Sequence, residues 1–206
     1  MFVLGITGGI GCGKSSVAKI LASYGLEVLD ADKISHEVTQ AGGSALSDVI
    51  NFFGPEYISE DGSMDREKMS NLVFSNAKSL DALSLIVHKR VFEEIEIRRN
   101  KLKKEKHKAV VLDVPVPAKE GFLDQCDQIW VVWTEDKIRL ERLAKRGMNR
   151  AEAQRRINIQ LSREEYENLA DHVIENNDSL EVLEEKVKAL AMRELQERGI
   201  VLNFDS

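Results

Sequence analysis

The chain has 206 residues, of which 43% are hydrophobic and 31% charged, and its formal net charge is −6. This length allows one domain with a sizeable core and no need for disulfides, while the acidic balance argues against a nucleic-acid partner. The first residues lack a basic segment ahead of a long apolar run, and no later stretch approaches membrane length, so we expect neither a signal peptide nor a membrane partner.

Short apolar runs rich in β-type residues recur along the chain. They lie at 2–7, 27–30, 109–113, 129–133 and 172–174. Helical patterns separate them, an alternation typical of a parallel sheet with crossover helices. The sequence therefore predicts an α/β core.

Between the first run and the first helix lies GGIGCGKS at residues 8–15, which matches G-x-x-x-x-G-K-[ST]. Such a loop holds the phosphates of ATP with its backbone amides and with the amino end of the next helix. Lys14 would neutralise the β and γ oxygens, and the Ser15 hydroxyl would bind Mg²⁺. The predicted nucleotide-binding residues are Gly11, Cys12, Gly13, Lys14, Ser15 and Ser16.

Carboxylates follow two of the predicted strands. Asp32 comes just after the second strand and either takes a proton from an acceptor hydroxyl or caps a helix that begins at Lys33. Asp113 closes the third strand and either holds Mg²⁺ through water or simply ends the strand. Both would lie at the sheet edge where ligands of open α/β sheets bind.

Two longer segments lie outside the sheet pattern. About seventy residues between the second and third strands have helical periodicity, far more than an ordinary crossover needs, and are well placed to bind a second substrate. The segment from 139 to 163 contains eight Arg and Lys residues in an otherwise acidic chain. It is either a mobile lid that closes over phosphates or an exposed helical hairpin.

The glycine loop alone does not define the activity, because GTPases, motor ATPases and regulatory switches share it. The chain has no N-K-x-D guanine motif, which favours a small-molecule kinase. Two alternatives stay open: a kinase of another metabolite, such as a nucleoside monophosphate, and a slowly hydrolysing regulatory module.

Several short motifs together resemble the dephospho-CoA kinase family. They are TGGIGCGKS at 7–15, DAD at 30–32, FG at 53–54, DG at 61–62 with Arg66, His88, DVP at 113–115 and Asn176-Asn177 after the last strand. The resemblance covers nearly the whole chain. It implies a P-loop NTPase-type parallel sheet flanked by helices, with a helical substrate-binding insertion and a helical lid.

The resemblance also implies a domain plan and a reaction. The chain would be a single kinase domain with a core at 1–33, 109–138 and 164–206, an acceptor-binding insertion at 34–108 and a lid at 139–163. It would use ATP and Mg²⁺ to phosphorylate the ribose 3′-hydroxyl of dephospho-CoA, the final step of CoA biosynthesis.

Site roles follow from the same resemblance. Asp32 would activate the ribose hydroxyl, Arg146 and Arg150 would be the lid arginines on the phosphates, and Arg66 and His88 would bind the acceptor. The chain departs from the family pattern at residues 116–119, which read Val-Pro-Ala-Lys instead of Leu-Leu-Phe-Glu, and at Lys89, where proline is usual. These departures concern the acceptor site and not the phosphate site.

The two cysteines, Cys12 and Cys126, are far apart in sequence, which is typical of reduced thiols and predicts a cytoplasmic protein. Cys12 lies inside the glycine loop, where its oxidation would block ATP if the thiol were reactive. The alternative is an inert loop residue. The sequence makes no prediction of oligomeric state.

Overall fold

The computed structural model describes residues 1–114 and 121–204. Its centre is a five-stranded sheet in the order β2-β3-β1-β4-β5, with every neighbouring pair parallel. The strands are β1 (Phe2–Thr7), β2 (Glu27–Asp30), β3 (Ala109–Asp113), β4 (Gln128–Trp133) and β5 (His172–Glu175). The predicted α/β class is confirmed, and the five predicted strands agree with the observed ones to within one residue at each end.

Nine α-helices occur within the described residues. They are α1 (Lys14–Ser23), α2 (Ala31–Val38), α3 (Leu46–Phe53), α4 (Arg66–Ser75), α5 (Ala77–Lys104), α6 (Asp136–Lys145), α7 (Arg150–Asn158), α8 (Arg163–Leu169) and α9 (Leu180–Glu194). Across the same residues, none of the helices has the combination of length and apolar character required to cross a bilayer.

The fold divides into two compact units, Met1–Asp30 with Glu105–Ser206, and Ala31–Lys104. The first is the sheet unit, whose core joins the central strands to α1 and α9. Fully buried residues such as Ile6, Val111 and Trp130 supply the sheet side of this core. Leu21 of α1 and Val187 of α9 supply the helix side.

The second is the helical unit, built from α2 to α5. Its core is a separate cluster in which Leu46 and Val49 of α3 pack with Met64 and Met69. Asp65 caps α4 by accepting a hydrogen bond from the backbone of Lys68. The helical character expected of this stretch is therefore present.

A polar cluster lies in the sheet unit where β4 and β5 begin. Glu194, at the end of α9, accepts hydrogen bonds from Gln128 at 2.9 Å and Arg193 at 2.8 Å, and it lies 3.1 Å from His172. Hydrogen bonds from Gln128 first, and then from Arg193, lower the pKa of Glu194 to about 2. This carboxylate therefore favours the folded state once it is ionised.

Candidate active site

The glycine loop connects β1 to α1. Gly13 directly precedes α1 with a φ of 94°, and a Cβ there would lie 2.2 Å from the side-chain nitrogen of Asn176. Glycine alone suits this position, because it tolerates positive φ and leaves room for the amide. Gly13 contributes no side-chain cap to α1. The first amides of the helix, on Lys14 and Ser15, therefore remain suited to an anion.

Two carbonyl groups of the loop are bound by donors from distant parts of the chain. The Ile10 carbonyl accepts from Arg139 Nε at 2.9 Å. The Cys12 carbonyl accepts from Asn176 Nδ2 at 2.8 Å and from Thr134 Oγ1 at 3.0 Å. In a planar trans peptide the next residue's N–H points opposite to the carbonyl. The amide that follows each of these carbonyls is therefore turned away from the protein donors.

The amides turned away from these donors belong to Gly11 and Gly13. Lys14 adds a cation beside them, since its Nζ reaches back along the loop and donates to the Gly8 carbonyl at 3.0 Å. Ser15, the next residue, is exposed. Amides, an ammonium group and a hydroxyl thus converge on one short loop, an arrangement suited to a polyphosphate.

The Cys12 side chain points into the hydrophobic core and is fully buried. Burial raises the pKa of the Cys12 thiol above its ordinary value, although Arg139 partly opposes this. A buried, protonated thiol is a poor nucleophile. The structure therefore supports the inert interpretation of Cys12, and the residue contributes its backbone to the loop.

A cavity of about 290 Å³ opens beside the end of the loop. Its lining residues come from the loop, α1, α6 and the start of α9: Gly13, Ser16, Arg142, Arg146, Asn176, Asp178, Leu180 and Leu183. Leu180 continues the apolar face of α9 formed by Leu183 and Val187, but it is 58% exposed. It provides apolar surface in a cavity that is otherwise largely polar.

Arg142 holds a fixed position at this cavity. Its Nη2 donates to the Asn176 carbonyl at 3.1 Å, and its Nη1 lies 3.3 Å from Thr134 Oγ1. Sequence reasoning counted Arg142 only as one of several basic residues and gave Thr134 no role. A signal was available, because Thr134 and Asn176 directly follow β4 and β5 at the sheet edge where ligands bind.

The two predicted lid arginines line different cavities. Arg146 follows α6, is exposed, and lines the cavity beside the phosphate loop. Arg150 begins α7 after the capping residue Asn149 and lines a second cavity of about 410 Å³ with Lys137 and Glu141. The structure thus brings Arg146, but not Arg150, to the loop cavity, and the catalytic role of each remains a prediction.

Asp113 ends β3 at the same sheet edge as the phosphate loop. In the sheet register it pairs with Ile6 of β1 on one side and with Asp30 of β2 on the other. It is half-buried. Its position suits either a contact with a hydrated cation or a simple strand end, so its Mg²⁺ role remains a prediction.

The other predicted site residues belong to the helical unit. Asp32 is exposed and is the second residue of α2, which begins at Ala31 and not at Lys33. Asp32 therefore lies inside the first turn, and the interpretation of Asp32 as the cap of a helix that begins at Lys33 loses its basis. Arg66 begins α4, and its Nη2 donates to Thr39 Oγ1 at 2.9 Å. His88 is exposed on α5. Residues 116–119, where the sequence departs from the family pattern, lie outside the described residues.

The comparisons with known proteins point to one family. A family model described as dephospho-CoA kinase matches residues 2–181. A dephospho-CoA kinase from Carboxydothermus hydrogenoformans is 36% identical over 93% of both chains, and one from Thermobifida fusca is 39% identical over 96% of this chain and 98% of its own. The solved structure of a dephospho-CoA kinase from Campylobacter jejuni aligns over 95% of this chain and 98% of that chain, with a TM-score of 0.72. Its sequence identity is 23%, so it supports the fold alone.

Proposed function

Because the chain belongs to the dephospho-CoA kinase family, we propose that it transfers the γ-phosphoryl group of ATP to the ribose 3′-hydroxyl of dephospho-CoA, giving CoA and ADP. The observation that carries this proposal is the phosphate loop, whose Ile10 and Cys12 carbonyls are bound by the protein and whose Lys14 lies alongside. Family membership supplies the acceptor.

The triphosphate of ATP would lie along the loop and the start of α1. The amides of Gly11 and Gly13 and the ammonium group of Lys14 would bind its β and γ oxygens. As the bond from the bridging oxygen to the γ-phosphorus breaks, negative charge moves onto the leaving ADP. The interaction with Lys14 then strengthens, which is how this residue would lower the barrier.

The adenosine of ATP would occupy the 290 Å³ cavity beside the loop. The exposed side chain of Leu180 offers apolar contact to a purine ring, and the guanidinium of Arg142 is held in place by Asn176 and Thr134. A planar guanidinium can stack on an aromatic base. These groups would fix the nucleotide's orientation relative to the loop.

The residues near the loop fit Mg²⁺ as a partner of ATP. The exposed Ser15 hydroxyl and the Asp113 carboxylate are oxygen ligands, the kind that Mg²⁺ prefers. Among the described residues, no group of three or more His, Cys, Asp and Glu side chains could hold a metal ion without help. We therefore propose that Mg²⁺ is held through Ser15, water and the phosphates, and it would neutralise phosphate charge there.

Asp32 would act as the general base. Its exposed carboxylate would take the proton of the ribose 3′-hydroxyl while that oxygen bonds to the γ-phosphorus. Arg66 and His88, which also belong to the helical unit, would contact the acceptor. Arg146 and Arg150 would meet the transferring phosphoryl group when the part of the segment 139–163 that carries them closes.

The proposal is tested by incubating the protein with ATP and Mg²⁺ and with dephospho-CoA or AMP as separate acceptors. The expected product is dephospho-CoA carrying one added phosphoryl group, detected by mass spectrometry, together with an equal amount of ADP. Lys14→Ala is the matched control for a contaminating kinase. Phosphorylated AMP with no CoA would refute the acceptor assignment and leave the nucleotide site standing.

A further inference from the structure

Ile10 of the phosphate loop is held by all three of its groups. Its amide donates to Gln160 Oε1 at 2.8 Å, and its carbonyl accepts from Arg139 Nε at 2.9 Å. Its side chain packs against the small cluster formed by Leu143 and Ile157 of α6 and α7. This part of the loop is therefore attached to the two helices that were predicted to form a lid.

The two side chains that hold Ile10 also bind each other. Arg139 Nη2 donates to Gln160 Oε1 at 2.7 Å, so the same oxygen accepts from both Arg139 and the Ile10 amide. Arg139 is only 2% exposed, and its Nη1 is paired with Asp136 at 2.9 Å. Its guanidinium also lies over Trp133 at 5.8 Å from the ring centre. Arg139 is thus committed to the protein interior and is not a lid arginine that reaches phosphate.

Gly9 leaves the space that this pair of side chains needs. A Cβ at Gly9 would lie 2.5 Å from Arg139 Nη2 and 2.8 Å from Gln160 Oε1. Real side-chain contacts are not this short, so any larger residue would displace one partner or the loop. We call these two side chains and their bonds to Ile10 the Arg139–Gln160 clamp. The clamp requires a glycine at position 9.

We propose that Arg139 and Gln160 are positioning residues that set the affinity of the loop for the phosphates of ATP. The bond from Arg139 fixes the peptide plane between Ile10 and Gly11 with its carbonyl toward the protein. The Gly11 amide then points away from Arg139, which leaves it as a donor for a phosphate oxygen. Without the clamp this peptide can rotate and present its carbonyl, which repels phosphate.

The inference rests on the proposed use of the loop for ATP, but not on the identity of the acceptor. Its test is therefore ATP binding without any acceptor, measured by calorimetry. Gln160→Leu keeps the side-chain size and removes the one oxygen that both partners share. Loss of a hydrogen bond to a charged group corresponds to about 10- to 100-fold in affinity, and we expect the Kd for ATP to rise by that factor.

Two further variants sharpen the experiment. Gly9→Ala keeps both clamp side chains but crowds them, and it should also weaken ATP binding. Gln154→Leu is the matched control: Gln154 is half-buried in α7, and its Nε2 donates to Asn158 within the same helix at 2.9 Å. Its Kd for ATP should stay within about twofold of the wild type.

A direct readout is hydrogen exchange at the Ile10 amide, followed by NMR. Exchange should accelerate in Gln160→Leu and remain slow in Gln154→Leu. A purely structural role of Gln160 would lower the melting temperature while leaving the Kd for ATP unchanged in the cold, and that result would overturn the proposal. Equal weakening by Gln160→Leu and Gln154→Leu would overturn it too. Wild-type protein that binds ATP but ignores dephospho-CoA would overturn only the acceptor assignment.

Discussion

Replacement of Lys14 by methionine tests the donor site most directly. Methionine keeps an unbranched stem of similar length in α1 but removes the positive charge and the donor to the Gly8 carbonyl. The side chain is half-buried, so its charge is only partly screened by solvent. We expect the turnover to fall sharply while the variant still folds.

The expected losses of turnover and of stability follow from the charge and the hydrogen bond of Lys14. Two unit charges about 4 Å apart interact by about 4 kcal/mol at an effective dielectric constant of about 20. If that interaction is gained in the transition state, its loss corresponds to about three orders of magnitude in kcat/KM. The lost hydrogen bond of 3.0 Å from Lys14 to Gly8 should cost at most about 3 kcal/mol of stability. At about 2–4 °C per kcal/mol, the melting temperature should fall by no more than about 12 °C.

The assay is coupled ADP release with saturating dephospho-CoA over a range of ATP concentrations, together with a thermal melt of each variant. Lys19→Met is the matched control, because Lys19 lies in the same helix and is exposed. It should have wild-type kinetics. Wild-type kcat/KM in Lys14→Met would mean that the loop is not the donor site. This result would refute the proposed mechanism.

Four more variants test the proposed catalytic residues and the polar cluster around Glu194. Asp32→Asn keeps the side-chain size but removes the proton acceptor, so kcat should fall by about 10²- to 10⁴-fold with an unchanged melting temperature. Arg146→Ala and Arg150→Ala should each lower kcat more than ATP affinity, as steady-state kinetics and calorimetry would show, because a lid arginine contacts the phosphoryl group mainly in the closed state. Glu194→Gln should lower the melting temperature at neutral pH. Because the folded-state pKa of Glu194 is depressed to about 2, this stabilisation exists above its ordinary pKa, and the difference in melting temperature should shrink as the pH falls from about 4.5 toward 2.

Each of these variants has a matched control within the chain. Asp81→Asn changes an exposed carboxylate of the helical unit, Lys145→Ala an exposed cation of α6, and Glu197→Gln an exposed carboxylate near the end of the chain. Unchanged turnover in Asp32→Asn would remove the base from the mechanism. Wild-type kinetics in both arginine variants would mean that neither Arg146 nor Arg150 acts on the phosphoryl group. A melting difference for Glu194→Gln that is equally large at pH 2 and pH 7 would contradict the pKa argument.

The sheet could be predicted because its signals are local. Each strand is a short apolar run, and the glycine loop with its flanking strand and helix is contiguous in the sequence. Leu180 shows where local reasoning fails. It continues the periodic apolar face of α9, yet the cavity beside Gly13 leaves it exposed. A periodic pattern predicts which face of a helix is apolar, but it carries no information about where the covering layer ends.

The supports of the loop could not be predicted because they come from far along the chain. Thr134 lies 122 residues from Cys12, and Asn176 lies 164 residues from it, yet both donate to the Cys12 carbonyl. In the sequence, Arg139 and Gln160 belong to the segment 139–163, which was predicted to be either a mobile lid or an exposed hairpin. Only tertiary packing shows that Arg139 is buried. The roles of Asp32, Arg66 and His88 remain predictions, because they depend on a bound acceptor.

These supports explain how so glycine-rich a loop can bind phosphate at all. Glycines at 8, 9, 11 and 13 let the backbone approach an anion closely, but glycine loses more conformational freedom on ordering than any other residue. An unsupported loop would have to be ordered by ATP itself, and that cost would be subtracted from the affinity. Thr134 and Asn176, which follow β4 and β5, fix the Cys12 carbonyl on one side of Gly11. Arg139 of α6 and Gln160, which follows α7, fix Ile10 on the other side. The loop is therefore already ordered when the protein has folded, and ATP binding does not have to order it. The ATP affinity of this loop thus depends on residues outside the sequence motif that identifies it.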